Sequence, residues 1–272
     1  LACRFTCGFT CGFTCGFWGA LTPVWSMVRL YVHMLTQGVR ALPGYLYLKW
    51  TRNPRAEAFL LERAARWGRG AVAVAGGRVV VEGLERVPDA GPVLYVANHQ
   101  GALDIPILMG YLPGTPAFVA KRELFGIPVL GYWMRRLGCV ALDRANPRAA
   151  REQLQGAAEG VKAGRRLVLF PEGTRSRDPD GAMGPFKRGS LKLALQAEAV
   201  VVPVTVEGSR FLLGPAADDF GGEVRVIVGE PVPVPRLDEA ARRALPETLH
   251  ATIQDTRERH RYDRAAQVPA AP

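Results

Sequence analysis

Histidine and lysine are scarce in this chain: 272 residues hold four of the first and five of the second. Few imidazoles leave few places to build a transition-metal site or a proton-transfer site. The scarcity of Lys beside abundant Arg, Ala, Gly and Pro reflects a GC-rich coding bias, and no function follows from it. Cysteine is equally uninformative as chemistry. Four of the five, Cys3, Cys7, Cys11 and Cys15, recur every four residues beside Gly and Phe. No CxxC pair and no neighbouring His accompany them, which excludes a zinc knuckle, and nothing resembles a disulfide framework. Cys139, in an apolar stretch, is expected to be a buried thiol, and a reducing compartment fits the whole set. An ordered secretory signal of charged, apolar and small-residue regions is missing. So are GxxxxGK[ST], GxSxG and HExxH; Gly68–Ala73 formally fits GxGxx[GA] but precedes a strand instead of linking strand to helix. Mean hydropathy of +0.03 excludes a multi-span membrane protein. The uncharged run Phe5–Val28 carries too much Gly, Thr and Cys to span a bilayer well. No cofactor or metal is expected.

What is present is an ordinary globular composition, 48% hydrophobic and 22% charged, long enough for one large domain with an appendage. Its net charge is +10 and is unevenly spread. Between Arg29 and Gly70 stand eight basic residues (Arg29, Arg40, Lys49, Arg52, Arg55, Arg63, Arg66 and Arg69) against Glu57 and Glu62. A basic, aromatic segment can meet nucleic acid, anionic lipid or nothing at all as a solvated helix face. Val28, Val32, Leu35, Val39 and Leu42 mark one face of a helix that Pro43 and Gly44 are expected to stop. A second helical stretch runs from Pro54 to Trp67. Tyr45, Tyr47 and Trp50 beside Lys49 and Arg52 favour the headgroup level of a membrane over a nucleic acid. Residues 27–75 therefore read as an amphipathic pair of helices docking on an anionic membrane surface, with packing onto the protein's own core as the alternative. Residues 1–26 read as a low-complexity extension upstream of a native start at Met27, and the Gly at every fourth position argues against a stable helix there.

An alternation follows. Strand character marks Arg78–Gly83, Val93–Asn98, Ala117–Lys121, Cys139–Arg144, Leu167–Phe170, Val200–Val206 and Glu223–Val228. Helical stretches fall near Asp104–Leu112, Ile127–Leu137, Pro147–Ala163 and Lys187–Ala197, with Asn146-Pro147 a good helix start. The expectation is an α/β fold with a largely parallel central sheet flanked by helices, occupying residues 76–235. A charged C-terminal helix and tail take up 236–272.

Of the four histidines, His99 alone closes a strand and opens a loop, where open α/β sheets gather ligands. Asp104 is the only formally charged residue between Asp89 and Lys121, and a buried carboxylate needs a partner. In a continuous helix five positions set two side chains about 140° apart, so His99 and Asp104 meet only if Gly101 turns the chain. Asp104 has a plain alternative role as a helix N-cap. Phe170-Pro171-Glu172-Gly173-Thr174-Arg175-Ser176 ends another apolar strand. Lys121 and Arg144 close two more. Three cations, Lys121, Arg144 and Arg175, at three strand ends make either an anion pocket or three unrelated surface charges.

These segments, taken in order, resemble the glycerolipid acyltransferase family. Asn98-His99 through Asp104 matches its NHxxxxD block. Lys121–Pro128 with Gly138–Arg144 matches the second region, Phe170–Ser176 the FPEGTRS block, and Val202-Pro203-Val204 the fourth. Asp143 just before Arg144 departs from the usual pattern, and Cys139–Leu142 is less aromatic than usual. The resemblance implies an enzyme that moves a fatty acyl group from acyl-CoA or acyl carrier protein to the sn-2 hydroxyl of a 1-acylglycerol 3-phosphate. Glycerol 3-phosphate, another lysophospholipid or a lipoamino acid are alternative acceptors. It implies His99 as general base oriented by Asp104, and Lys121, Arg144 and Arg175 on the acceptor phosphate. Glu172, Gly173 and Thr174 would line the glycerol side. No protein nucleophile and no nucleic-acid partner are implied. Amphiphilic substrates place such an enzyme at the cytoplasmic face of the cell membrane, peripheral or monotopic.

Overall fold

A computed structural model describes residues 11–143, 145–176, 178, 181–187, 189–213 and 222–261, with side chains from residue 27 onward. Two helices open it, α1 (Cys11–Trp50) and α2 (Arg55–Val74). An α/β alternation follows: β1 (Gly77–Glu82), β2 (Val93–Ala97), α3 (Asp104–Tyr111), β3 (Ala117–Lys121), α4 (Leu130–Arg136), β4 (Val140–Leu142), α5 (Pro147–Lys162), β5 (Leu167–Leu169), α6 (Lys192–Ala197), β6 (Val200–Glu207), β7 (Gly222–Val228), β8 (Val232–Pro233) and α7 (Glu239–Arg259). The short β8, against β6, had no distinct signature in the sequence.

The main strands lie in the order β1-β7-β6-β2-β5-β3-β4. From β6 to β4 every neighbouring pair is parallel, while β7 runs antiparallel to β6 and carries β1 parallel to itself. The sheet is thus largely parallel with helices on both faces, as its Val- and Leu-rich strands lead one to expect. Alternate residues along each strand feed opposite cores. Tyr95, Phe118, Val168, Val202 and Val204 pack with Ala64 and Val72 of α2 and Ile107 and Leu108 of α3. Leu94, Val96, Leu167 and Val201 pack with Ala157 and Val161 of α5, Leu193 of α6 and Leu249 and Ile253 of α7. Helix starts are chemically marked. Asn146 accepts from the Ala149 N–H at 3.1 Å, and Asp238 from that of Ala241 at 2.7 Å.

The helical pair departs from expectation in two ways. Helix α1 continues through Pro43 and Gly44 to Trp50. A proline there loses one backbone bond, but packing on both sides of it offsets the loss. Gly44 gives room to the ring of Phe59 on α2, and buried Tyr45 meets Trp133 of α4 edge-on at 5.7 Å. Helix α1 also begins at Cys11, across Gly12 and Gly16, against the expectation drawn from glycine. Extending an existing helix avoids a second nucleation cost, so each Gly subtracts only about 1 kcal/mol. Residues 1–10 lie outside the described residues.

The two helices have different surroundings. Helix α2 is part of the domain core: a Cβ on Gly68 would stand 2.4 Å from the Pro106 carbonyl oxygen of α3, so the two backbones touch there. Arg69 locks the contact by donating to the Gly110 carbonyl at 2.7 Å. Helix α1 packs one face on α2 and α4 and leaves another bare. Val28, Val32, Val39, Leu46 and Trp50, at steps of four and seven, are all exposed, Trp50 by 83%. Exposed Tyr31 and Tyr47 border that stripe. No helix among the described residues is long and apolar enough to cross a membrane.

Candidate active site

The chain leaves β2 at the point where the sheet reverses its direction of growth. It crosses to β3 and β4, returns to β5 between β3 and β2, then places β6 on the other side of β2. Such a switch point opens a crevice at the carboxyl ends of the strands. His99 stands at that end of β2, Phe170 at that of β5, Lys121 at that of β3.

The loop from Asn98 to Asp104 is held residue by residue. Asn98, 1% exposed, extends the β2–β6 pairing with its side chain. Its Nδ2 donates to the Val206 carbonyl at 2.9 Å, and its Oδ1 accepts from the Val206 N–H at 2.7 Å. The backbone then turns, and the Asp104 N–H bonds the Gly101 carbonyl. This turn carries Asp104 back to His99: His99 Nδ1 lies 2.7 Å from Asp104 Oδ2. The same oxygen accepts from the N–H groups of Gln100 at 2.7 Å and Gly101 at 2.9 Å. Asp104 is fully buried, and its carboxylate faces back into the loop instead of capping α3, whose N-cap is Leu103. His99 and Asp104 therefore meet, and Asp104 does not serve as the cap of α3.

An ionised Asp104 can only accept, so the proton between the two groups sits on Nδ1 and leaves the Nε2 lone pair available. Nε2 has no hydrogen-bond partner among the described residues. The ring is stacked on Phe170 with centroids 4.2 Å apart and planes 17° from parallel. Its side chain keeps 15% exposure. The imidazole is thus held at Nδ1 by Asp104 and on one face by Phe170, with its Nε2 edge open to a ligand.

The Phe170–Ser176 segment grips His99 through the backbone. Glu172 accepts from the His99 N–H at 2.8 Å and, with its other oxygen, from the Gly184 N–H at 2.9 Å. The Ser176 N–H donates to the His99 carbonyl at 2.8 Å. Glu172 is 5% exposed. Burial pushes its carboxyl above the usual carboxylate range, and the N–H groups of Gly184 and His99 pull it partly back. Both oxygens are therefore engaged beneath the loop, with Gly173 and exposed Thr174 and Arg175 above. Gly173 has φ +70°, a left-handed conformation that L side chains rarely adopt.

Lys121 and Arg175 are exposed and have no ion-pair partner among the described residues. Arg144 lies outside the described residues. Asp143, the departure noted in the second block, pairs with Arg122 at 3.0 Å. One further cation was not anticipated. Lys187, whose N–H bonds the Pro171 carbonyl, reaches back so that a Cβ on Gly173 would lie 2.7 Å from its Nζ. No sequence signal placed it there, because a loop joins the two segments. Cys139, expected to be a buried thiol, is half-buried, and desolvation pushes its thiol up to about 11. No group of three or more His, Cys, Asp or Glu side chains suited to a metal ion occurs among the described residues.

Comparison with known proteins follows the same lines. Residues 78–207 match the family model described as Acyltransferase. The chain is 39% identical over 155 residues to 1-acyl-sn-glycerol-3-phosphate acyltransferase BAT2, chloroplastic, of Brassica napus, covering 56% of this chain and 44% of that protein. Against 1-acyl-sn-glycerol-3-phosphate acyltransferase of Pseudomonas aeruginosa it is 34% identical, covering 57% of this chain and 60% of the relative. The match therefore spans about half the length of these curated relatives. The crystal structure of the 1-acyl-sn-glycerophosphate (LPA) acyltransferase PlsC from Thermotoga maritima superposes with a TM-score of 0.77 at 28% identity. That superposition covers 90% of this chain and 99% of the other.

Proposed function

Residues 78–207 being a domain of the acyltransferase family, we propose that the chain transfers a fatty acyl group from an acyl thioester to the sn-2 hydroxyl of a 1-acylglycerol 3-phosphate, forming phosphatidate. The observation that carries the reading is the 2.7 Å bond between His99 Nδ1 and an Asp104 oxygen already held by two backbone N–H groups. In this mechanism the acceptor hydroxyl attacks the thioester carbonyl while Nε2 takes its proton. The tetrahedral intermediate collapses, the C–S bond breaks, and the imidazolium returns the proton to the departing thiolate. Asp104 keeps the tautomer and stabilises the imidazolium, the part an Asp plays in serine hydrolases, with no protein nucleophile involved. Lys121, Arg144 and Arg175 hold the acceptor phosphate. Gly173 and Thr174 line the glycerol side, and Glu172 supports it from below.

The test is phosphatidate formation from lysophosphatidate, with acyl-CoA and acyl carrier protein thioesters offered separately as donors. Glycerol 3-phosphate, other lysophospholipids and lipoamino acids are offered in parallel. Phosphatidate from lysophosphatidate supports the reading. Transfer to one of the other acceptors alone would keep the chemistry and replace the acceptor.

The membrane seat belongs to the same proposal. The bare apolar stripe of α1, bordered by exposed Arg29, Arg40, Lys49, Arg52 and Arg55, suits the interface of an anionic bilayer on its cytoplasmic face. Deleting the whole pair would strip α2 from the core, so point changes are the cleaner probe. Leu46→Glu with Trp50→Glu is expected to weaken binding to phosphatidylglycerol-containing vesicles at least about tenfold, given the apolar burial lost. Raised salt weakens the wild type as well. Flotation with vesicles reads both, and undiminished binding by the double variant would place the contact elsewhere.

A further inference from the structure

The stretch immediately after β6 has played no part so far, yet it touches the base's carboxylate partner. Ser209, 1% exposed, donates its hydroxyl to Asp104 Oδ1. That is the oxygen not bonded to His99. Two residues earlier, Glu207, 2% exposed, accepts from Gln100 Nε2 at 2.7 Å and from Arg257 Nε of α7 at 2.9 Å. The Gly208 N–H donates to Gln100 Oε1 at 3.1 Å. Gln100 is thus fixed by its side chain while its own N–H holds Asp104. The end of β6, helix α7 and the catalytic loop are joined through buried polar groups.

We infer that Ser209 is a positioning residue for the His99–Asp104 pair. A carboxylate rotates easily about its last bond, since that torsion has broad wells. Three donors on Oδ2 set its position, but only a donor on Oδ1 fixes the plane. With the Ser209 hydroxyl removed, Oδ1 becomes a buried acceptor with no donor among the described residues, which is costly. The carboxylate then turns toward whatever donor it can reach, and Oδ2 leaves the line to Nδ1. Ser209 is too deeply buried to touch substrate, so the effect passes through Asp104 alone. The Glu207–Arg257 pair holds this segment in place independently of the hydroxyl, so the bond to Asp104 is not needed to anchor it. The fourth sequence block thereby acquires a purpose, since its strand delivers Ser209 to the back of the catalytic carboxylate.

This inference rests on the reading of His99 as general base. Saturation kinetics with lysophosphatidate and acyl-CoA would compare wild type, Ser209→Ala, Ser209→Thr, Asp104→Asn and the Asp104→Asn/Ser209→Ala pair. Ser209→Ala is expected to lower kcat about 10–100-fold, the range for losing a hydrogen bond to a charged group. KM should stay within about twofold, because no substrate contact changes. Ser209→Thr keeps the hydroxyl and recovers most of the rate. In the Asp104→Asn background, Ser209→Ala should cost less than about threefold more. If Ser209→Ala melts below the assay temperature, Ser209→Cys replaces it and falls between wild type and inactive, its thiol being a weak donor. A wild-type kcat in Ser209→Ala, equal loss in Ser209→Thr, or an undiminished effect in the double variant would overturn the inference. A wild-type chain that transfers no acyl group would overturn the acyltransferase reading instead.

Discussion

Replacing His99 by Ala should reduce acyl transfer about 10²–10⁴-fold, the contribution typical of a positioned general base, while leaving the fold in place. The second half of that expectation comes from the loop. Without the imidazole, Asp104 still accepts from the N–H groups of Gln100 and Gly101 and from the Ser209 hydroxyl. Its buried charge therefore keeps three donors. The backbone of residue 99 remains tied to Glu172 and Ser176, because those bonds use its N–H and carbonyl. Circular dichroism and the melting curve should match wild type closely, and turnover of lysophosphatidate with acyl-CoA should collapse. KM for the acceptor should change little, since cations outside the base hold its phosphate in the proposed mechanism. Activity that survives in His99→Ala would sink the mechanism itself.

Asp104→Asn is the second large effect, with a different physical origin. An amide has the size of the carboxylate but offers one oxygen and one donating nitrogen. The Oδ2 position receives three donors, from His99 Nδ1 and the two backbone N–H groups. An NH₂ there would face donors only, so the amide oxygen must take that place and the NH₂ must turn to Ser209. The imidazole then faces a neutral oxygen, and the negative charge that stabilises an imidazolium is gone. A loss of about 10³–10⁴-fold in kcat is expected, near the loss seen when a triad's Asp is made Asn. Stability should fall less than a polar burial penalty suggests, because Ser209 can reverse its hydroxyl and accept. Kinetics beside thermal unfolding would separate the two. A variant with near-normal kcat would show that the charge of Asp104 is not used.

The legibility of this site in the sequence was uneven for physical reasons. Where contacts are local, spacing narrowed the choice without deciding it, leaving a His99–Asp104 pair and a helix N-cap both open until the loop's turn was seen. The loop from His99 to Asp104 carries a base, a turn and a carboxylate within six residues, and Gly101 signalled that the two ends can meet. From β1 to β7 the strands were plain, since apolar runs of Val and Leu between helical stretches have few other solutions, but the helix expected from Lys187 starts only at Lys192. The links of Ser209 to Asp104 and of Glu207 and Gly208 to Gln100 were not legible, because each spans more than a hundred residues and only the order of strands brings them together. One clue existed: Glu207 is an acid at the end of a run of Val in β6. Pro43-Gly44 failed as a helix stop for the opposite reason. Local propensity opposed the helix there, and contacts from Phe59 and Trp133 outweighed it.

Gly68 has a mechanical consequence. Because α2 lies backbone-to-backbone on α3 at Pro106, two residues past Asp104, no flexible tether separates α2 from the His99–Asp104 loop. On the proposed membrane seat, α1 is the keel and His99 is carried at a set altitude above the waterline. On that seat, the hydroxyl of a lipid acceptor would have to reach the height at which the helix contact holds His99. The fold would then discriminate among lipids by reach, through the stiffness of a helix contact that never touches them.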